Sequence, residues 1–298
     1  MLAVGPRSTQ REYFLDAFST NRAQLLLCQP RTGVMYRFAG RAGVHGEPFA
    51  DEKSQLQQRA KPAVPQGGML MHAYCDFDGT IAEIDVTDAV LERFASAEWR
   101  HIERAWEEGH INARQCMSAQ VALIRASMNE IDAFLDSVKI DPGFPEFVNW
   151  CATNMIPVTV VSDGVDRFIR RILANHGLDH LDIIANRLRV EDTGGRFNFS
   201  LDAPFSRSTC GAGSGVCKCA VVQSDARQIY VGDGRSDFCV SSKVDLLFAK
   251  HSLAVHCTRN FIPFVPYTTF KDVQNLAAAQ LQNLVTFHDA GLLLSQTA

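Results

Sequence analysis

The sequence predicts an α/β fold in which a parallel sheet carries helices on both faces. Short apolar or β-branched runs that are typical of buried parallel strands occur at residues 72–77, 157–161, 228–231 and 244–249. Amphipathic helical patterns separate these runs, and such alternation of strands and helices is typical of a parallel sheet. Because ligands bind such sheets at the carboxyl ends of the strands, we expect the functional residues there.

The helical patterns have apolar faces and candidate caps. After the second strand, the stretch from Val165 to Leu173 repeats apolar residues at helical spacing, with Asp163 as the expected N-cap and Gly177 as the stop. About 60 residues between the first and second strands have a purely helical pattern. We expect one helix face from Val86 to Ala97, a second helix capped by Asn112 and a third capped by Asn129.

Three parts of the chain differ in pattern. Residues 1–68 are expected to form a poorly ordered N-terminal extension, because residues 40–68 are rich in Gly, Pro, Gln and Lys and have little periodicity. Residues 69–84 and 140–298 are expected to form the core that contains the sheet. Residues 85–139 are expected to form a helical cap, because an insertion just after the first strand lies over the strand ends.

Composition restricts the class of protein. The 298 residues include 29 basic and 33 acidic side chains, and 46% are apolar, which is close to the average for globular proteins. The net charge of −4, without a basic run, predicts no nucleic-acid partner. The apolar runs are far shorter than the roughly 20 residues that cross a bilayer, and no secretory signal is recognisable. We therefore expect a cytoplasmic monomer or homodimer that does not bind a membrane.

Acidic residues follow three of the predicted strands. These strand ends read Asp76-Phe77-Asp78-Gly79-Thr80, Ser162-Asp163-Gly164 and Gly232-Asp233-Gly234-Arg235-Ser236-Asp237. Parallel strands end at one edge of the sheet, so we expect four carboxylates to converge there: Asp76, Asp78, Asp233 and Asp237. Converging carboxylates repel one another unless a cation lies among them, and oxygen ligands with open positions suit Mg²⁺.

The same residues suit phosphoryl transfer. Mg²⁺, Lys218 and the Ser162 hydroxyl would supply positive partners for a phosphate. Asp76, at the rigid end of a strand, suits attack on phosphorus, and Asp78 suits proton transfer to the leaving alcohol and then from water. An Asp-rich turn alone is more often a helix cap or a solvated loop. The ordered occurrence of a serine, a lysine and a second acidic cluster favours a phosphotransfer site.

Four motifs resemble those of the haloacid dehalogenase (HAD) superfamily across roughly residues 72–260. They are DFDGT, VVSDG, the lysine of CKC, and GDGRSD. The resemblance implies a Rossmann-like HAD core with a small inserted C1-type helical cap, and Mg²⁺ as the cofactor. It implies Asp76 as the nucleophile and Asp78 as the acid/base. The implied phosphate-binding residues are Ser162, Asp163, Gly164 and Lys218, and the implied metal residues are Asp76, the backbone carbonyl of Asp78, and Asp233, with Asp237 in support.

The cap indicates which subgroup of the superfamily the chain resembles. Its position is similar to that in the phosphoserine-phosphatase-like subgroup IB. Its sequence, DVTDAVLERFASAEWRHIERAWEEGHIN, and the cysteine-flanked lysine are most similar to phosphatases related to 2-hydroxy-3-keto-5-methylthiopentenyl-1-phosphate phosphatase. Dehalogenases of the superfamily lack the second aspartate of the first motif, which is Asp78 here, and its ion pumps need membrane helices. The resemblance therefore implies a phosphoric monoester hydrolase whose substrate is a small-molecule phosphate ester.

Two positions bear on which ester is hydrolysed. Phosphoserine phosphatases have a glutamate and a cap arginine where this chain has Asp85 and Gln120. A neutral amide cannot replace a bidentate guanidinium on a carboxylate, so we expect phosphoserine to be a poor substrate. Phosphoserine phosphatase, a non-catalytic phospho-ligand sensor, and a kinase or mutase remain the alternatives, since fold does not fix function.

Aromatic and cysteine residues offer further sites. Trp99 and Trp106 share a helix face, which is more typical of cap core than of substrate stacking. Cys210, Cys217 and Cys219 have the spacing C-x6-C-x-C, which matches no standard zinc knuckle. We interpret them as loop and core thiols, with a zinc site or a redox-sensitive pair as the alternatives.

Overall fold

The computed structural model describes residues 71–195 and 197–280. The predicted N-terminal extension, residues 1–68, lies outside this range. Within it, seven strands form one sheet in the order β4-β3-β2-β1-β5-β6-β7. The strands are β1 Met71–Cys75, β2 Val158–Val165, β3 Asp182–Asp192, β4 Phe197–Asp202, β5 Arg227–Gly232, β6 Leu246–Ala249 and β7 Val265–Pro266.

The sheet is parallel except at one edge. β1 lies in the middle and pairs in parallel with β2 and β5, whereas β4 pairs antiparallel with β3. The chain fills one side of β1 first, with β2 and β3, and then crosses to the other side for β5 and β6. Such a reversal of strand order opens a crevice at the carboxyl ends of the strands, where ligands bind. The predicted α/β class with a parallel sheet is confirmed.

Helices connect the strands and cover both faces of the sheet. They are α1 Val86–Phe94, α2 Trp99–Glu107, α3 Ala113–Val121, α4 Met128–Leu135, α5 Phe144–Thr153, α6 Asp166–Asn175, α7 Lys218–Val221, α8 His251–Arg259 and a helix α9 over residues 270–280, with a short 3-10 helix at Arg235–Asp237. Alternate residues of β1 enter opposite layers: Ala73 and Cys75 belong to one buried apolar cluster and Tyr74 to another. Both faces of β1 are therefore covered, which explains its continuous apolar run.

Two strands and two caps differ from the sequence predictions. β3 and β4 were not predicted, because their outer halves form an exposed hairpin that lacks an apolar run. The third cap helix begins after Ser127, not Asn129, because Ser127 and Glu130 form a reciprocal capping box. The predicted cap by Asn112 and the stop at Gly177, which has a φ of +69°, are confirmed.

Asp163 does not cap α6. The N-cap of that helix is Val165, and Asp163 lies inside β2, at an irregularity where the register with β3 shifts between Val161 and Val165. The prediction fails because the helix starts directly from the end of the strand.

The helices α1–α4 lie between β1 and β2 in the chain and form the predicted cap region. One side of this region is tied to the core, because Arg167 and Arg171 of α6 form ion pairs with Asp132 and Asp136 at α4. Across residues 71–195 and 197–280, every helix is too short or too polar to cross a bilayer.

Candidate active site

Asp76 is placed by the end of the central strand. Its backbone N–H donates to the carbonyl of Val231, 2.9 Å away on β5, and the residue is only 4% exposed. The Oδ1 atom accepts hydrogen bonds from the Phe77 N–H at 2.8 Å and from Lys218 Nζ at 2.7 Å. Among the described residues, none donates to Oδ2, and Asp76 lines a large pocket. One oxygen is thus held, and the other is available to a ligand.

Lys218 and Asp237 form a buried pair behind Asp76. Lys218, the first residue of α7, is fully buried, and its Nζ lies 2.6 Å from Asp237 Oδ1. Burial alone lowers the pKa of Lys218, but the charges of Asp237 and Asp76 outweigh it and raise the pKa above its usual value. The lysine therefore carries a positive charge at the floor of the site.

The Asp237 carboxylate is used entirely by the protein. Its Oδ1 accepts from Lys218 and from Tyr230 Oη at 2.5 Å. Its Oδ2 accepts from the backbone N–H groups of Asp233 and Gly234, both at 3.0 Å. Four hydrogen bonds occupy the acceptor capacity of the two oxygens. Asp237 is therefore suited to orient its neighbours rather than to bind a ligand.

Asp78 lies against the start of the cap. Its Oδ1 accepts from the Val86 N–H at 2.8 Å, and its Oδ2 lies 3.2 Å from the Ser162 hydroxyl. Burial, and after it the charge of Asp85, raises the pKa of Asp78 to about 8. A Cβ atom on Gly164 would come within 2.5 Å of Asp78 Oδ2, so glycine is needed at this position. The protonated form of Asp78 is thus favoured relative to an exposed aspartate, and the residue lines the pocket.

At the irregularity in β2, the side chains of Ser162 and Asp163 have different partners: Ser162 contacts Asp78, and Asp163 contacts the loop before Lys218. Ser162 is buried, and its Oγ accepts from the Gly164 N–H at 2.9 Å, where the β2–β3 ladder is interrupted. The carboxylate of Asp163 instead accepts from the Val216 N–H at 2.9 Å. Ser162, Asp163 and Gly164 all line the pocket. The carboxylate of Asp163, however, is bonded to the loop that leads to Lys218.

Asn186 and His251 belong to the site surroundings and were not predicted from the sequence. Asn186 of β3 donates to the backbone carbonyl of Asp163 at 2.5 Å, and no described residue bonds to its buried Oδ1. His251 Nδ1 lies 3.2 Å from Asp233 Oδ2. Neither residue lies in a motif, so a sequence pattern offered no signal for them.

Asp233 completes the group of carboxylates. Thr80 donates to its Oδ1 at 3.2 Å, and burial, together with the charge of Asp237, raises the pKa of Asp233. Gly79 has a φ of +68°, and a Cβ there would lie 2.6 Å from Asp233 Oδ2. The turn after Asp78 thus needs glycine both for its backbone and for the approach of Asp233.

The donor set fits a hard divalent cation. Carboxylate oxygens of Asp76, Asp233 and Asp237 lie within 4.8 Å of one another. Because Asp237 is saturated by hydrogen bonds, Asp76 and Asp233 are the side chains suited to coordination. Three carboxylates share the buried charge of Lys218, so an additional cation would help to balance the group. Oxygen ligands with few carboxylates are the environment that Mg²⁺ prefers.

A pocket of about 870 Å³ lies above these residues, roofed by the cap. The cap contributes Asp85, Glu103, Trp106, Met117 and Gln120 to its lining. Asp85 accepts from the Asp88 N–H as the N-cap of α1, and Gln120 donates to Glu103 at 2.7 Å. Both predicted cap residues therefore face the pocket, although each also has a structural partner.

The two cap tryptophans have different surroundings. Trp99 is 8% exposed and belongs to the apolar core, which agrees with the interpretation as cap core. Trp106 is half-buried, lines the pocket and stacks against Arg235, whose Cζ lies 4.5 Å from the ring centroid. For Trp106 the interpretation as cap core is wrong, because the ring spans from the cap to the core at the edge of the pocket.

Comparisons with known proteins agree with this arrangement. The family model of haloacid dehalogenase-like hydrolases matches residues 73–241. The 2-hydroxy-3-keto-5-methylthiopentenyl-1-phosphate phosphatase of Geobacillus thermodenitrificans (strain NG80-2) is 27% identical over 210 residues, which cover 67% of this chain and 92% of the relative. The protein of the same name from Lysinibacillus sphaericus (strain C3-41) is 29% identical over 214 residues, covering 67% and 90%.

A solved structure has the same fold. The phospho-aspartyl intermediate analogue of phosphoserine phosphatase superposes with a TM-score of 0.51 at 20% identity, covering 68% of this chain and 95% of that one. The family match itself extends over more than half of the chain, from β1 through the second acidic cluster. The expectation drawn from the four motifs is confirmed: this chain belongs to the haloacid dehalogenase-like hydrolases and is a phosphatase of that superfamily.

Proposed function

We propose that the chain hydrolyses a small-molecule phosphomonoester with Mg²⁺ through an aspartyl-phosphate on Asp76. The observation that supports this proposal most strongly is the different hydrogen bonding of the two carboxylate oxygens of Asp76. Oδ1 is held by Lys218 and by the Phe77 N–H, whereas Oδ2 has no donor among the described residues. A carboxylate oriented in this way can present one oxygen to phosphorus without losing its own position.

In the first step, Asp76 Oδ2 attacks phosphorus, and the bond between phosphorus and the ester oxygen breaks. Asp78 donates its proton to that leaving oxygen, so the leaving group departs as an alcohol. The raised pKa of Asp78 supports this assignment, because it favours the protonated form that a general acid needs. Ser162 lines the pocket and is suited to contact the phosphoryl oxygens, whereas Lys218, buried behind Asp76, is suited to supply positive charge near them.

In the second step, the Asp78 carboxylate takes a proton from water, and the water oxygen attacks the phosphorus of aspartyl-phosphate. The bond between Asp76 Oδ2 and phosphorus breaks, which releases inorganic phosphate and restores the Asp76 carboxylate. Mg²⁺, when bound by Asp76, Asp233 and the backbone carbonyl of Asp78, would neutralise charge on the phosphoryl oxygens. The phosphoserine phosphatase of the same fold was solved as a phospho-aspartyl intermediate analogue, which supports the same kind of intermediate here.

The pocket favours a leaving group without a carboxylate. Among its described lining residues, Arg235 is the one basic side chain, and it stacks on Trp106 at the rim. The cap side instead presents the acidic Asp85 and Glu103 beside the apolar Met117. A phosphoserine carboxylate would meet negative charge there, and Gln120 is engaged with Glu103. We therefore infer that the lining disfavours an anionic leaving group, and that Met117 and Trp106 favour a partly apolar one, a class that includes the methylthiopentenyl ester in the names of the relatives.

Phosphate release from a designed set of esters tests the proposal. The set contains a neutral ketose phosphate with a thioether end, phosphoserine with its carboxylate, and phosphoethanolamine with its amine, each assayed with Mg²⁺ and with EDTA. We expect turnover that needs Mg²⁺ and is fastest with the neutral ester. Asp76→Asn is expected to lower turnover by roughly 10⁴-fold or more. The exposed Asp225→Asn is the matched control and keeps full activity.

The alternatives give different outcomes in the same assay. A phospho-ligand sensor binds an ester but releases no phosphate, and a mutase or kinase moves the phosphoryl group to another acceptor. Fastest turnover of phosphoserine would contradict the inferred leaving group while leaving the chemistry intact. Phosphate release by Asp76→Asn within tenfold of the wild type would contradict the aspartyl-phosphate mechanism.

A further inference from the structure

A group of cysteine side chains lies beside Lys218, and the proposed phosphatase chemistry does not use it. The Sγ atoms of Cys217 and Cys219 are 3.5 Å apart, and those of Cys210 and Cys219 are 3.9 Å apart. All three sulfur atoms lie within 4.8 Å of one another. Within residues 71–195 and 197–280, the cysteines and the Asp76 group are the two clusters with metal-ligand spacing.

A fourth cysteine adjoins this group. Cys239 follows the 3-10 helix that carries Asp237 and lines the pocket. Its sulfur is not among those with metal-ligand spacing. The group that can hold a metal therefore consists of Cys210, Cys217 and Cys219.

The sulfur spacing fits a tetrahedral metal better than a disulfide. Four sulfurs about 2.3 Å from a zinc ion at tetrahedral angles lie about 3.8 Å from one another, and the two measured separations lie on either side of that value. In a disulfide the two sulfurs are about 2.05 Å apart, and each sulfur is bonded to a single partner. Here the sulfur of Cys219 lies near those of both Cys210 and Cys217, so the geometry does not favour one disulfide pair.

We propose that Cys210, Cys217 and Cys219 bind one zinc ion in a structural site. Each thiol loses its proton on binding, and zinc remains divalent, so no oxidant or reductant is needed. Thiolates are ligands that zinc accepts and that Mg²⁺ does not favour, so the two clusters would take different metals.

The position of the cysteines indicates what such a site does. Residues 203–217 contain no helix or strand, and α7 has only four residues, so little regular structure holds Lys218 in place. Isolated helices this short are unstable. Cys217 and Cys219 flank Lys218 directly, and zinc between them would fix the backbone from which the lysine reaches Asp76.

The same loop also joins the cap to the core. The carbonyl of Gly213 accepts from the Arg114 N–H at 3.0 Å, at the start of α3, and Gly211, Ala212 and Ser214 line the pocket. Because Cys210 begins this stretch and Cys217 ends it, a zinc ion would fasten the loop at both ends. The zinc site would therefore position Lys218 and one pocket wall without touching the substrate.

Metal content and cobalt spectroscopy of the full-length chain test the proposal. Protein purified without chelator is expected to contain about one zinc per chain. Cobalt substitution is expected to give thiolate-to-cobalt charge-transfer bands and the intense visible bands of tetrahedral cobalt. Carboxylates cannot produce the charge-transfer bands, so this readout distinguishes the cysteines from the Asp76 group and is independent of phosphatase activity.

Matched cysteine variants locate the site. Loss of an outer-sphere partner already lowers metal affinity roughly 10–100-fold, so Cys210→Ser and Cys219→Ser should each weaken zinc binding by more than about 100-fold. Cys257→Ala changes a buried cysteine outside the group and should keep one zinc and the cobalt spectrum. Wild-type protein that binds no zinc, gives no thiolate bands, or forms a Cys210–Cys219 disulfide in place of metal binding would overturn the proposal.

Discussion

The floor and the roof of the pocket are built in different ways. On the floor, Asp76, Lys218 and Asp237 are buried, and protein hydrogen bonds or ion pairs fix each of them from at least two sides. On the roof, Trp106 and Met117 are half-exposed and carry few polar contacts. We therefore expect the floor to determine which reaction occurs and the roof to determine which leaving group is accepted.

The largest expected effect concerns the floor and separates proton transfer from the rest of the chemistry. Asp78→Asn keeps an acceptor for the Val86 N–H but cannot donate a carboxyl proton. We expect turnover of an alkyl phosphate to fall by roughly 10²–10⁴-fold. With p-nitrophenyl phosphate, whose leaving group needs no proton, the loss should be much smaller. Equal losses on both esters would contradict the role of Asp78 as the acid.

A second prediction breaks the charge balance of the floor. Lys218→Met removes the cation between two buried carboxylates, which should lower the free energy of unfolding by about 3–5 kcal/mol in EDTA. Mg²⁺ should restore part of this loss, because it supplies positive charge at the same place. Urea unfolding with and without Mg²⁺ measures both effects. The exposed Lys243→Met is the control, and an equal loss in the two variants would refute the predicted role of the lysine charge.

A third prediction compares the two tryptophans of the roof. Trp106→Ala removes the stack with Arg235 and should raise KM about 3- to 10-fold, the equivalent of roughly 0.5–1.5 kcal/mol, with kcat nearly unchanged. Trp99→Ala creates a core cavity and should instead lower stability by about 3–5 kcal/mol. Steady-state kinetics of both variants measure the effect on KM, and thermal unfolding measures the effect on stability. A KM effect of Trp99→Ala alone would reverse the assignment.

The smallest expected effect concerns the exposed tie between cap and core. Hydrogen bonds from Arg171, and then from Asn175, lower the pKa of Asp136 to about 2. Because this folded-state pKa lies below the unfolded value of about 3.9, the contribution to stability is present above about pH 4 and is lost as the pH falls through about 2. Arg171→Ala should return the pKa of Asp136 toward about 3.9, measured by NMR titration.

Solvent and salt screen this exposed pair, so the accompanying change in melting temperature should be slight. It should disappear in high salt, and kcat should not change. A large loss of activity in Arg171→Ala would show that the tie controls the pocket rather than only steadying the cap.

The motifs predicted the floor well for a physical reason. Catalytic carboxylates at strand ends need particular neighbours, such as Gly79 and Gly164, where a Cβ would collide with Asp233 or Asp78. Those requirements leave a pattern in a short stretch of sequence. The roles of these residues stay predictions, whereas their placement around one pocket is a structural fact.

The site features that the sequence did not predict depend on contacts between segments that are distant in the chain. Asn186, His251 and the pairing of Trp106 with Arg235 join residues that are far apart in the chain, so no local spacing revealed them. The failed N-cap prediction at Asp163 has the same origin. Its carboxylate is taken by the Val216 N–H, 53 positions later.

The sequence by itself determined the α/β class and the family, and it predicted the residues for phosphoryl transfer, because each depends on local periodicity or on a short motif. The tertiary structure alone decided which oxygen of Asp76 is held, that Asp237 is saturated by hydrogen bonds, and that Cys210, Cys217 and Cys219 lie within metal-ligand distance of one another. These features depend on distances across the fold. Such distances are fixed by the packing of the sheet and its helices, and spacing along the chain does not encode them.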